Sequence, residues 1–190
     1  AKNINGPLRI ALLETPAGFE LNSAQVVGRV GDFMKTRLQN YKPVVDVVPA
    51  RKKRSAFSPD DADLLQPLLH ANIIFMGPGS PTYAIRQLRD SLAWDLIRAR
   101  HRLGAALIFA SAATISVGAH ALPVYEVYKV GQDVHVVDGL DLFADFNGVP
   151  DEAARTEFYQ HEANWTNRMI LRDSLQVMAS LAGEHETVVI

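Results

Sequence analysis

The sequence predicts an α/β fold of three layers, a mostly parallel sheet flanked by helices. Two observations carry this. Short, almost wholly apolar runs of strand length recur at 8–13, 72–76 and 105–110, as strands buried on both faces of a parallel sheet should read. Between them lie stretches whose apolar residues repeat at helical spacing, the alternation that generates βαβ units.

Taken in order, Leu8-Arg9-Ile10-Ala11-Leu12-Leu13 is the first strand, broken by Glu14-Thr15-Pro16-Ala17-Gly18. Val26, Val27, Val30, Phe33, Met34 and Leu38 then mark one face of a helix over 23–38, with Asn22 or Ser23 as its N-cap. Residues 44–49 form a second strand. Ser58-Pro59-Asp60-Asp61 combines a cap, a proline at the first helical position and early acids, which predicts a helix burying Leu64, Leu65, Leu68 and Leu69. The third strand, 72–76, breaks at Gly77-Pro78-Gly79-Ser80-Pro81, after which Tyr83, Ile85 and Leu88 start another helix. A helix over 92–102 leads into the fourth strand, 105–110, which ends on Ser111.

Beyond Ser111 the texture changes. Residues 124–130 alternate, Gly131-Gln132-Asp133 turns, and 134–137 alternate again, predicting a β-hairpin after the fourth strand. The polar stretch 144–167 resists assignment, and a helix near 170–181 and a strand over 187–190 close the chain. That ending has no loop after it, which fits a natural protein carrying further segments. With 190 residues and 48% hydrophobic content, the chain can fill one sizeable core, and a single domain over 1–190 is expected.

Composition narrows the function. A net charge of −2 gives no reason to expect a nucleic-acid partner, and the basic run 51–54 reads as a solvated loop. With no cysteine, thiolate metal sites and cysteine nucleophiles are excluded, and a cytoplasmic location is expected. No apolar run approaches the length of a membrane span and the N-terminus shows no signal-peptide core, so no membrane partner is expected. The sequence has no H-E-x-x-H, and His161 and Glu162 are adjacent, so no metal site and no cofactor are expected. Gly77-Pro78-Gly79-Ser80-Pro81-Thr82 lacks the G-K-[ST] of a phosphate loop, and its prolines remove N–H donors.

In parallel sheets, sites gather at the C-terminal strand ends, here the loops 14–18, 77–81 and 111–114. Ser111 has two readings. It is either a nucleophile on a strained strand-to-helix turn, for which Ala110, Ala112 and Ala113 supply the small neighbours such a turn needs, or a helix cap. As nucleophile it would sit beside the N–H groups opening the next helix, and Gly79 would let a second backbone N–H approach a substrate. Trp165, Tyr125 and Tyr128 either line a pocket or pack in the core and hairpin. The hairpin leaves room for a homodimer through sheet extension.

Phe75-Met76-Gly77-Pro78-Gly79-Ser80-Pro81-Thr82-Tyr83 with Arg86-Gln87-Leu88 resembles the glycine loop and helix of peptidase E and cyanophycinase. Phe109-Ala110-Ser111-Ala112-Ala113 falls where that family carries G-x-S-A-G-A, departing from it at Ala110 and Ala113. Glu126, 15 positions after Ser111, matches the family's acidic residue. The resemblance spans roughly 8–143 and implies the class I glutamine amidotransferase-like, flavodoxin-like fold. It also implies a serine hydrolase of small peptide or amide substrates. Its catalytic set would be Ser111, Glu126 and His161, the histidine being the nearest candidate base. The N–H groups of Gly79 and Ala112 would form the oxyanion hole, and Ser80, Tyr83 and Arg86 would contact substrate. The alternative is an inactive member of the fold that binds a small molecule or regulates a partner.

Overall fold

The computed structural model describes residues 7–142 and 144. Four strands, β1 (Arg9–Leu13), β2 (Val44–Val48), β3 (Ile73–Met76) and β4 (Ala106–Phe109), form one parallel sheet in the order β2-β1-β3-β4. The helices are α1 (Ser23–Arg37), α2 (Gln66–His70), α3 (Pro81–Leu88), α4 (Leu92–Arg102) and α5 (Ala112–Ser116). The sheet flanked by helices is the expected architecture.

Alternation along each strand sorts the side chains into two cores. Ile10, Leu12 and Phe75 join Val27, Val30 and Met34 of α1 on one face. Ala11, Leu13, Ile74 and Met76 face α2, α3 and α4 through Leu68, Ile85, Leu88, Trp94 and Ile97. Three layers result, with α1 alone on its side among the described helices.

Strand order also fixes where a site can form. From β1 the chain moves outward to β2, then crosses back over β1 to β3, so the direction reverses between β1 and β3. Such a reversal is where a crevice at the C-terminal strand ends is expected. The loops concerned are 14–18 and 77–81.

Two expectations are corrected. The helix predicted from Ser58 begins only at Gln66. Side chains compete with the backbone upstream: Ser58 Oγ accepts from the Asp60 N–H, and Asp61 Oδ1 accepts from the Asp63 and Leu64 N–H groups, turns that hold the chain out of the helix. Asp60 instead serves the first turn of α4, its Oδ1 accepting from the Leu92 N–H at 3.1 Å. Leu65 and Leu68 are buried as expected, whereas Leu69 is exposed and Leu64 half-buried.

The second correction concerns 124–137. An antiparallel pair does follow α5, but it joins β5 (His120–Ala121) to β6 (Val137–Asp138). Residues 126–130 are wound into a π-type helical turn ended by Gly131 at φ 74°, and Val134 and Val136 are exposed outside any strand. The cause is tertiary: Glu126 is held by Thr82 of α3, and a contact of that kind overrides an alternating pattern. The expected helix at 170–181, the strand at 187–190, Trp165, His161 and the far end of the expected single domain lie outside the described residues.

Candidate active site

Three chain segments meet at the crevice. The loop after β1 forms a tight helical turn over Thr15–Ala17 whose residues are all buried. Gly79 follows β3 at φ +149°, and a Cβ there would lie 1.9 Å from the Pro16 carbonyl oxygen, so only glycine lets the two loops come this close. The Ser80 N–H donates to the same oxygen at 2.9 Å. Ser80 then caps α3, its Oγ accepting from the Tyr83 N–H at 3.2 Å, with Pro81 at the first helical position, as N-terminal helix chemistry favours. Helix α3 packs between the 15–17 turn and α5.

Ser111 stands between β4 and α5. Its backbone lies at φ 56°, ψ −121°, a conformation that costs a residue with a Cβ energy. It occupies the N-cap position of α5, yet its side chain makes no capping hydrogen bond, and the residue is exposed. Helix capping therefore does not account for this serine. Ala112 and Ala113 behind it are buried at 2% and 0% exposure, so the turn has no room for larger neighbours. Among the described residues, the N–H groups of Gly79 and Ala112 have no hydrogen-bond partner.

Glu126, Ser80, Tyr83 and Arg86 line one shared cavity of about 260 Å³ with Phe19, Tyr125 and Val130. Phe19 and Val130 are the unforeseen members, and Phe19 makes ring contacts there. The Phe19 ring lies 5.1 Å from that of Tyr83 and 5.5 Å, edge-on, from that of Tyr125, favourable aromatic geometries. The sequence offered one clue to Phe19, an apolar ring directly after the first strand's loop. Tyr125 lines this cavity, whereas Tyr128 is exposed. Arg86 is exposed at the cavity and Ser80 is buried.

Glu126 is reached through a hydrogen-bonded chain: Ser80 Oγ and Thr82 Oγ1 are 2.9 Å apart, and Thr82 Oγ1 donates to Glu126 Oε1 at 2.5 Å. Its other oxygen, Oε2, is buried with no hydrogen-bond partner among the described residues, an acceptor left open for a donor. Thr82→Val removes the donor to Oε1 while keeping the shape. It is expected to cost about 2 kcal/mol, read as a lowered midpoint in urea denaturation.

Tyr83 donates from its hydroxyl to the Arg51 carbonyl at 2.9 Å. Burial pushes its hydroxyl above the usual tyrosine range, against a smaller opposing pull from the Arg86 guanidinium. Because the folded value is raised, the stability this proton contributes is present below the ordinary tyrosine value and is lost as pH rises through the folded one. Alkaline titration followed by tyrosine absorbance should show a late component that Tyr83→Phe reduces.

Four histidines, His70, His101, His120 and His135, fall among the described residues, and all are exposed and none lines the cavity. His120 lies in β5, while His135 is in no strand. The structure thus brings Glu126 to Ser80, Tyr83 and Arg86. His161 lies outside the described residues.

Against solved structures, the chain is similar to a peptidase from an acI-B1 Actinobacterium, with 20% identity, a TM-score of 0.58 and 80% of this chain aligned. This chain shares that peptidase's fold. It spans 62% of the peptidase's length. A provisionally assigned peptidase E protein from Listeria monocytogenes EGD-e aligns at 13% identity and a TM-score of 0.47, over 85% of this chain and 77% of the other. No family model and no curated protein sequence matches the chain. Among the described residues no helix is long and apolar enough to cross a membrane.

Proposed function

We propose that the protein is a peptidase E-like serine hydrolase of small peptide or amide substrates, with Ser111 as nucleophile. The observation that carries this reading is the backbone of Ser111, φ 56° and ψ −121° at a strand-to-helix turn, in an exposed residue whose side chain makes no capping hydrogen bond. Strain of that kind persists where it holds a reacting atom in place, and a serine so held presents Oγ above the sheet edge.

Ser111 Oγ attacks the substrate carbonyl carbon as its proton passes to His161. The carbonyl oxygen, now an anion, accepts from the N–H groups of Gly79 and Ala112, which have no partner among the described residues. His161 then gives the proton to the leaving amine as the C–N bond breaks, and water hydrolyses the acyl-enzyme by the same steps in reverse. Glu126, whose Oε2 stays open once Thr82 has taken Oε1, is the acid of the set and serves to orient the base. The cavity beside it, with Ser80, Tyr83, Phe19 and Arg86, receives the substrate side chain. The similarity of fold to a peptidase adds support.

The test is covalent labelling. A fluorophosphonate added to the native full-length protein should add one phosphonyl group, and peptide mapping should place it on Ser111. An unlabelled native protein would leave the fold as the scaffold of a binding or regulatory protein instead.

A further inference from the structure

Among the described residues outside the proposed catalytic set, Glu14 is the most buried charged one, at 2% exposure, and none of the steps above uses it. It sits at the C-terminal end of β1, directly before the 15–17 turn. One of its oxygens, Oε2, accepts from Ser23 Oγ at 2.9 Å and from Arg51 Nε at 2.7 Å. A buried carboxylate held by two donors is rigid, and removing it leaves its partners unpaired.

Arg51 ties several elements to this carboxylate. Its guanidinium stacks 4.6 Å over the Phe57 ring, and its carbonyl accepts the Tyr83 hydroxyl at 2.9 Å. Gly18, closing the 15–17 turn, packs so closely that a Cβ there would lie 2.7 Å from the Arg51 carbonyl oxygen. Thr15 Oγ1 donates to the Ala50 carbonyl at 2.6 Å. The turn is thus clamped at both ends to the segment after β2, and its Pro16 carbonyl receives the Ser80 N–H and abuts Gly79.

From this continuity we infer that the Glu14–Arg51 pair is a positioning device for the Gly79 loop, setting the aim of the Gly79 N–H through the 15–17 turn and the Pro16 carbonyl. The inference rests on the hydrolase reading for what that N–H does. Neither residue touches substrate; both act through the loop they hold. Displacing an oxyanion donor by a fraction of an ångström weakens a bond made only as the reaction proceeds, so the loss falls on the chemical step and not on substrate binding.

The experiment compares native protein with Glu14→Ala, Glu14→Gln and Gly18→Ala, all as the full chain. Gly18→Ala presses on the same contact while leaving both charged groups in place. Two quantities are read: the fluorophosphonate inactivation constants and the hydrogen exchange of individual amides by NMR. In Glu14→Ala the limiting inactivation rate should fall roughly 10- to 100-fold with the reagent's binding constant little changed. The Ser80 amide should exchange at least about tenfold faster, while Leu12 and Ile74 in the sheet keep their protection. Glu14→Gln retains an oxygen able to accept from both Ser23 and Arg51 and should recover most of the lost rate. Gly18→Ala should reproduce the Ser80 effect in a folded protein.

A folded Glu14→Ala with an unchanged inactivation rate and an unchanged Ser80 amide would overturn the inference. So would a loss of protection spread evenly over the sheet, since that marks general destabilisation. If native protein is not labelled at all, the hydrolase reading fails, and the catalytic purpose of the pair fails with it. The exchange data separate the two cases, because they report the clamp without any reaction.

Discussion

Ser111→Gly raises the unfolding temperature while abolishing fluorophosphonate labelling. At φ 56° a side chain bearing a Cβ is strained and glycine is not, so the substitution should gain about 1 kcal/mol after glycine's own entropic cost. For a chain of this size that is a rise of about 3 °C. Ser111→Ala is the companion variant: it keeps the Cβ and therefore the strain, and its stability should match that of the native protein within about 0.5 kcal/mol. Both variants should lose at least about three orders of magnitude in any serine-dependent turnover. Differential scanning calorimetry with probe labelling reads the pair. A serine kept only for folding would show the reverse, since its replacement would lower stability and leave nothing else to lose.

Gly79→Ala carries the largest expected destabilisation. The added methyl would lie 1.9 Å from the Pro16 carbonyl oxygen, 2.1 Å from its carbon and 2.6 Å from the Ala17 nitrogen. These are backbone atoms of a buried turn and cannot swing away as a side-chain tip would. With the positive φ added, the cost should be about 4 kcal/mol, seen as a fall of at least about 8 °C in the melting temperature. Gly28→Ala in α1 is the control. A Cβ there meets nothing within 4 Å, and alanine's better helix propensity should stabilise the protein by up to about 1 kcal/mol. Opposite signs from one chemical change would show that the space beside Gly79 sets its effect.

Where the chain's own local chemistry governs, the sequence was legible. The helix expected at 92–102 is α4, Leu92–Arg102, because Ser91 caps it, accepting from the Trp94 N–H at 3.2 Å, and the apolar face has the right period. The helix at 23–38 also forms, although Asn22 caps it by position alone and Ser23 turns its hydroxyl to Glu14. A capping residue is recognised by type, and type does not reveal a better partner elsewhere. The same blindness explains residues 58–65, whose polar side chains serve local turns and the start of α4.

The candidate site divides in the same way. Ser80, Tyr83 and Arg86 follow a glycine loop on one short helix, and helical periodicity keeps them together. Phe19 joins them from far earlier in the chain, a closeness that no local pattern encodes.

By itself the sequence determined the alternation of strands and helices, the parallel sheet, the three strand-end loops and the small residues around Ser111. Those follow from apolar period, turn chemistry and side-chain size, all of which act over a few neighbouring residues. Only the tertiary structure decided that Gly79 lies against Pro16, that Ser111 holds a positive φ without capping α5, and that Glu126 is drawn into a helical turn beside Thr82. These are contacts between segments distant in the chain, and their energies depend on which loops the order β2-β1-β3-β4 brings face to face.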